Sequence, residues 1–412
     1  MAGFTEALRE GSWLTRERVR LVALMLLAAA VIGAAFLIAT SDGRNDRFGR
    51  PLGTDFSNVY AAGTYALDGE AAKPFDPRAQ YAREQAIFGK DTPFYGWHYP
   101  PFFLGLAALL ATMPYWLALL LWQAATLALY LWATRTILGQ HAEDRMWLLL
   151  ALAYPAVFIN LGHGHNGFLT AALMAGGLLA LERRPWLAGL LFGLLAYKPQ
   201  FGLLIPLVLA AGGYWRAFAA AAVTVVVLAV LVTLAFGMDV WTAFLASTKF
   251  TRTVVLEHGD TGWYKIQSAF SIVRMWGGSI DLAYTVQAAV TLGIAGTLAW
   301  LWRSKAAFPL KTAALMIGTV LATPYVLDYD LMLLAPAIAW LAADGMARGF
   351  APYEKTALAT LWLMPLVART VALATHIPLA VPAMLLTFAI LLHRAMTETG
   401  ALRASGILRS AP

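Results

Sequence analysis

Arg20 is followed by twenty residues without a charge, Leu21 to Thr40, which is the length of one crossing of a bilayer's hydrocarbon core. A soluble domain has no place for such a run, and the pattern recurs along the chain. Of 412 residues, 60% are apolar and only 13% charged, a balance outside that of soluble globular proteins. In lipid a spanning segment must satisfy its own backbone, which a helix does alone. The chain therefore reads as an all-α polytopic membrane protein.

Arg9, Arg16, Arg18 and Arg20 precede the first run and set the N-terminus in the cytoplasm. The run continues past Ala34-Ala35 through Phe36, Leu37 and Ile38, so it reads as a retained anchor rather than a cleaved signal. Counting onward, spans fall near 21–40, 115–138, 147–161, 166–182, 186–197, 199–212, 217–236, 283–302, 311–326, 330–344, 356–375 and 377–393. Arg135 with Arg145, Arg183-Arg184, Arg216, Arg303 with Lys305, Arg348 with Lys355, and Arg394 then all lie in the cytoplasm, as short basic loops should. This needs residues 100–113 not to cross, and they read as a re-entrant or interfacial helix ending at Pro114. The division is thus a cytoplasmic segment 1–20, a first span 21–40, an extracytoplasmic loop 41–114, a multi-span domain 115–393 with an outer loop 237–282, and a cytoplasmic tail 394–412 expected to be disordered. The net charge of +7 orients the chain and meets anionic lipid headgroups rather than nucleic acid. With no cysteine, disulfides and thiolate nucleophiles are excluded.

Polar residues interrupt the apolar sequence at Asp55, His98-Tyr99, His163-Gly164-His165-Asn166, Lys198-Pro199-Gln200, the loop 237–282, and Asp328-Tyr329-Asp330. All fall on the outer side of this topology. Ionisable groups at membrane depth are costly and usually face a bundle interior or a wet cavity, so six clusters on one face point to one cavity. The short spans meeting at Lys198-Pro199 fit a cavity or, equally, a tight outer hairpin. Asp55 is either the N-cap of a following helix, a role Thr54 could share, or a general base for an attacking hydroxyl. His98 and Tyr99 precede Pro100-Pro101 and either open a helix or bind sugar or phosphate. His163 and His165, in a glycine turn without an obvious third ligand, make a poor metal site. Lys198 either snorkels or meets a lipid phosphate, with Gln200 beside it. Arg252, Lys265, Gln267 and Arg274 lie among aromatics that suit sugars or an interface belt. Asp328, Tyr329 and Asp330 lack the strand and helix alternation and the glycine-rich loop of a nucleotide-sugar site, and are expected to cap the next span, orient basic groups or contact acceptor hydroxyls.

Taken in order, Thr54-Asp55-Phe56, Tyr99-Pro100-Pro101, Gly162 to Asn166, Lys198-Pro199-Gln200, Gln267-Ser268 with Arg274, and Pro324 to Asp330 resemble glycosyltransferase family 87 over roughly residues 50–345. The resemblance implies a GT-C fold of about twelve transmembrane helices in a plasma-membrane protein. It also implies a polyprenyl-phosphate sugar donor, typically of mannose, used on the extracytoplasmic side on a glycolipid or glycan acceptor without nucleotide or obligatory metal. The family's loop aspartate falls on Asp55 as catalytic base. His98, Tyr99, His163, His165, Asn166, Lys198, Gln200, Arg252, Lys265, Gln267, Arg274, Asp328, Tyr329 and Asp330 are then the candidate donor-binding residues. The chain departs from the pattern where some members show Gly-Gln-x-Asn and this one has Gly162 to Asn166, and where a later histidine is replaced by Asp328-Tyr329. A transporter or flippase, which broken helices would also suit, and a ligase for lipid-linked glycans are the alternative functions.

Overall fold

The computed structural model describes residues 2–404. Among them, extended pairing is confined to isolated bridges such as Ile266 with Leu327, and all other regular structure is helical. The short α1 (Ala2–Glu10) leads into α2 (Arg16–Ala39), whose first turn is capped by the Thr15 hydroxyl accepting from the Arg18 amide. Three helices occupy the polar stretch that follows: α3 (Thr54–Leu67), α4 (Pro77–Phe88) and α5 (Leu104–Ala111). Asp76 caps α4 and Pro77 takes its first position, where a missing N–H costs nothing. Any Cβ on Gly63 would strike the Ala107 carbonyl, so α5 lies directly against α3. At 8 residues, α5 is about 12 Å long and does not reach across a bilayer.

Next come α6 (Tyr115–Leu138), α7 (Met146–Ala153), α8 (Pro155–His163), α9 (Gly167–Ala180), α10 (Pro185–Leu194), α11 (Pro199–Gly202), α12 (Ile205–Ala211) and α13 (Trp215–Phe236). The chain bends by 51° between α7 and α8, because Pro155 drives Tyr154 out of the helical region. α10 and α13 pack through Gly189 and Gly193, each of which abuts residues 217–224, the four-residue small-side-chain spacing that brings membrane helices close. The remainder is α14 (Asp239–Phe250), a π-helical segment Thr251–Glu257, α15 (Ala269–Met275), α16 (Ile280–Arg303), α17 (Phe308–Leu321), α18 (Leu334–Arg348), α19 (Glu354–Thr375) and α20 (Ala380–Ala404).

Seven described helices are long and apolar enough to cross a membrane, eight if α7 and α8 form one bent span. The chain is a multi-pass membrane protein. Of the twelve spans counted from sequence, several of them already short, the others are shorter than the roughly 20 residues a straight crossing takes: α9 and α17 have 14 residues, α10 has 10, α11 has 4 and α12 has 7. α9 and α17 are almost wholly buried, so protein rather than lipid meets their ends.

One correction concerns the C-terminus. No disorder sets in at Arg394; α20 runs on to Ala404, and residues 405–412 lie outside the described residues. Arg394, expected in a cytoplasmic loop, is buried and bonds Asp344 and Glu354 at 2.6 Å each and Glu398 at 3.3 Å. Arg348 joins the same cluster through Asp344 and Glu398. Carboxylates from α18 and α19 thus hold this part of α20 in place. α1 lies at this end too, with Tyr353 N donating to Arg9 O at 2.8 Å and Thr356 to Leu8 O at 2.7 Å.

Candidate active site

At the other end of α19 the polar clusters converge on one cavity of about 700 Å³, a volume suited to a small-molecule ligand. Asp55 reaches it from the first turn of α3. Gly53, in the left-handed region at φ +68°, occupies the cap position without a side-chain bond, so neither Thr54 nor Asp55 is spent on capping. Both instead face His163. Thr54 Oγ1 lies 2.7 Å from Nδ1 of His163, and an Asp55 oxygen lies 3.7 Å from the same nitrogen.

The meeting of α3 with the end of α8 is built by glycine. Gly164 sits at φ +60° and ends α8, and a Cβ there would fall 2.6 Å from the Phe56 Cβ and 3.3 Å from the Gly53 Cα. α6 pins the turn from behind, with Trp122 donating to Gly164 O at 3.0 Å and Gln123 to Leu161 O at 3.0 Å. Asn160, which the sequence reading passed over, ties this turn to the 328–330 segment. Its amide nitrogen donates to Tyr329 O at 2.9 Å, while its oxygen accepts from Gly167 N at 3.0 Å. A buried asparagine in an apolar helix was the available signal.

Tyr329 stacks on His165 with ring centroids 3.5 Å apart, and Tyr99 Oη stands 3.4 Å from His165 Nε2. Lys198 does not snorkel, and lines the cavity. Its ammonium donates to Asp330 at 2.7 Å, with both side chains at most 5% exposed, and the other Asp330 oxygen accepts from Leu327 N. A buried lysine needs such a partner. Asp328 answers Arg369 of α19 at 3.4 Å. Arg369 lines the cavity and was missed, although a lone arginine inside an apolar span is itself a signal.

The facing wall is α14 and the π-helical segment, a geometry frequent at functional sites. Thr251 Oγ1 lies 2.9 Å from His98 Nδ1. Burial pushes the His98 imidazole down to about 4, against the pull of the Asp55 charge, so at neutral pH it is uncharged. Arg252 leans onto Glu257 at 3.2 Å with its side chain 61% exposed. Lys265 and Gln200 also line the cavity.

Three expected ligands do not line it. Arg274 donates to the carbonyls of Gly278 and Glu257 and covers the Trp263 ring. Gln267 clips the outer loop to Val326 through its backbone and to Tyr264 through its amide. Asn166 stands at the cap of α9, its amide buried and unbonded. Loop carbonyls take the donors of Arg274 and Gln267, so these two shape the loop rather than face the cavity.

The stretch 93–100 that brings in His98 and Tyr99 is held by Glu84, another residue that sequence reasoning missed. Its carboxylate accepts from the amides of Tyr95 and Gly96 at 3.1 Å each and from Gln80 at 3.1 Å. Burial raises the carboxyl to about 7 although these donors oppose the shift.

The family model for glycosyltransferase family 87 matches residues 97–324, more than half of the chain. No curated protein and no solved structure matches it. The matched stretch carries His98, Tyr99, His163, His165, Lys198, Gln200, Arg252 and Lys265, with Asp55 before it and Asp328, Tyr329, Asp330 and Arg369 after it.

Proposed function

The chain belongs to glycosyltransferase family 87 and is a membrane glycosyltransferase, and from that premise we propose how its cavity works. The reading is transfer of a hexose, with mannose the expected sugar, from a polyprenyl phosphate to a glycolipid or glycan acceptor. It takes place on the extracytoplasmic face of the plasma membrane, in a GT-C-type fold whose short helices complete the bundle around the site. Among the alternatives, enzyme membership disposes of the transporter, and a glycan ligase differs only in the group transferred.

The observation that carries this reading is Asp55, freed from capping and set 3.7 Å from His163 at the wall of a cavity rich in cations. A single displacement needs one base and one leaving-group site. The acceptor oxygen bonds to the sugar's C1 as the bond from C1 to the phosphate oxygen breaks, the electron pair passes to phosphate, and the acceptor's proton goes to Asp55. Inversion at C1 follows. His163, itself held by Thr54, fixes the carboxylate's direction, and general-base help of this kind is worth about 10² to 10⁴ in rate. Charge on the departing phosphate is met by fixed cations, the electrostatic contribution that is usually largest. The reaction should then run without a divalent ion and keep its rate in excess chelator.

The test is transfer of label from polyprenyl-phosphate mannose to a membrane glycolipid extract by the protein in nanodiscs, wild type beside Asp55→Asn. Transfer by wild type and loss of at least a hundredfold in the variant, with donor binding retained, is the expected result. Full rate in Asp55→Asn would remove the base; an inert wild type would remove the donor or acceptor chosen here.

A further inference from the structure

The five cations at the cavity are not equivalent, and their partners single one out. Lys198 is neutralised at 2.7 Å by Asp330, both side chains buried. Arg252 is mostly in solvent against Glu257, and Arg50 is exposed at the mouth. Arg369 differs from all three. It projects from the apolar α19 into the cavity with its side chain 41% exposed, and only Nη1 contacts Asp328, at 3.4 Å. Asp328 itself is 4% exposed in its side chain and accepts from the Tyr329 amide, so the guanidinium is positioned from behind while its remaining N–H donors meet no acceptor among the described residues.

Lys265 comes from a different element, lines the same cavity and approaches the same aromatic ring. Its ammonium and the Arg369 guanidinium carbon each stand 5.8 Å from the centroid of the Tyr264 ring. Lys265 has no carboxylate partner among the described residues. Two cations sharing one aromatic ring, one of them preset by a buried carboxylate and offering a planar fork of donors, match a phosphate monoester.

Resting on the glycosyl-transfer reading, we propose that Arg369, with Lys265, is the seat of the donor's phosphate, and that Asp328 is its positioning residue. The phosphate leaves with one more negative charge than it carries as a diester, and that charge develops where donors are already fixed. Lys198, in this arrangement, braces Asp330 and the 327–330 turn instead of the leaving group.

Binding of farnesyl phosphate and of farnesol, measured to the full protein in detergent, separates phosphate recognition from tail recognition. Wild type is expected to prefer the phosphate. Arg369→Gln should weaken farnesyl phosphate roughly ten- to hundredfold, the range for a lost charged hydrogen bond, and leave farnesol unchanged, which also reports an intact fold. Arg369→Lys should recover part of the loss. If Arg369→Gln keeps the full preference, the seat lies elsewhere while the transferase reading stands. If wild type shows no preference, the polyprenyl-phosphate donor falls together with the seat.

Discussion

At the residue scale, the cavity is governed by which polar groups are already committed. The Lys198 and Asp330 pair is committed to itself, and removing one partner leaves a buried charge alone. Lys198→Met is therefore expected to cost about 3 to 5 kcal/mol, read as a loss of folded protein after detergent extraction, and the double change with Asp330→Leu should recover most of it. Glu84 and His98, on the same lip of the cavity, titrate in opposite senses. The Glu84 carboxyl, raised from 4.5 to about 7, binds more protons folded than unfolded, so its contribution declines as pH rises from 4.5 through 7. His98, lowered from 6.5 to about 4, binds fewer, so its contribution is complete above 6.5 and declines as pH falls towards 4. Between 4.5 and 6.5 the two slopes oppose each other. Glu84→Gln should unmask the histidine: the protection of the Tyr95 and Gly96 amides, taken as exchange relative to the intrinsic rate at each pH, is expected to be nearly flat over that window in wild type and to fall steadily as pH drops from 6.5 in the variant.

At the element scale, the turn between α8 and α9 is what brings His163 to Asp55. Gly164→Ala demands a left-handed backbone from a residue with a Cβ and drives that Cβ against Phe56 and the Gly53 backbone. Transfer should fall at least tenfold while the helical content stays unchanged, since a misplacement of 1 Å at a reacting group can cost about a hundredfold. Sequence patterning was most legible in helices that meet lipid, and α6 was read to the residue at 115–138 because unbroken apolarity is what lipid selects. Where helices meet one another it found the segments, with 186–197 and 199–212 read as short and broken at Lys198-Pro199, but not their internal breaks. α10 and α11 each open on a proline, Pro185 and Pro199, with the break between them at the buried Lys198, and protein contacts supply what lipid-exposed length otherwise would. In the site, clustered motifs were visible because several costly groups stood together: His163 and His165, or Asp328 and Asp330. Arg369, Asn160 and Glu84 stand singly, and only the fold brings each to a partner distant in sequence. Arg274 and Gln267 show the converse, polar residues beside a motif that donate to carbonyls of their own loop.

At the scale of the whole molecule, α19 connects two chemically different ends. Glu354 belongs to the carboxylate and arginine cluster that fastens α18, α19 and α20, and Arg369 belongs to the cavity. Fifteen residues of helix separate them by about 22 Å, most of the hydrocarbon thickness of about 30 Å, so the two ends lie near opposite faces of the membrane. Arg16, Arg18, Arg20, Arg145 and Arg348 cluster toward the first end, through the pairing of Arg16 with Asp144 and of Arg348 with Asp344. The positive-inside rule supports the proposed orientation, with that end in the cytoplasm and the cavity outward, the side on which a polyprenyl-linked sugar would be used. Because the chain has no cysteine, single introduced thiols report the orientation without background. Asp91→Cys, exposed beside the cavity lip, is expected to react with a membrane-impermeant maleimide on intact cells. Arg183→Cys, exposed between α9 and α10, should react only after the membrane is opened. The reverse pattern would place the cavity in the cytoplasm, within reach of nucleotide sugars, and the polyprenyl-phosphate donor would lose its topological reason.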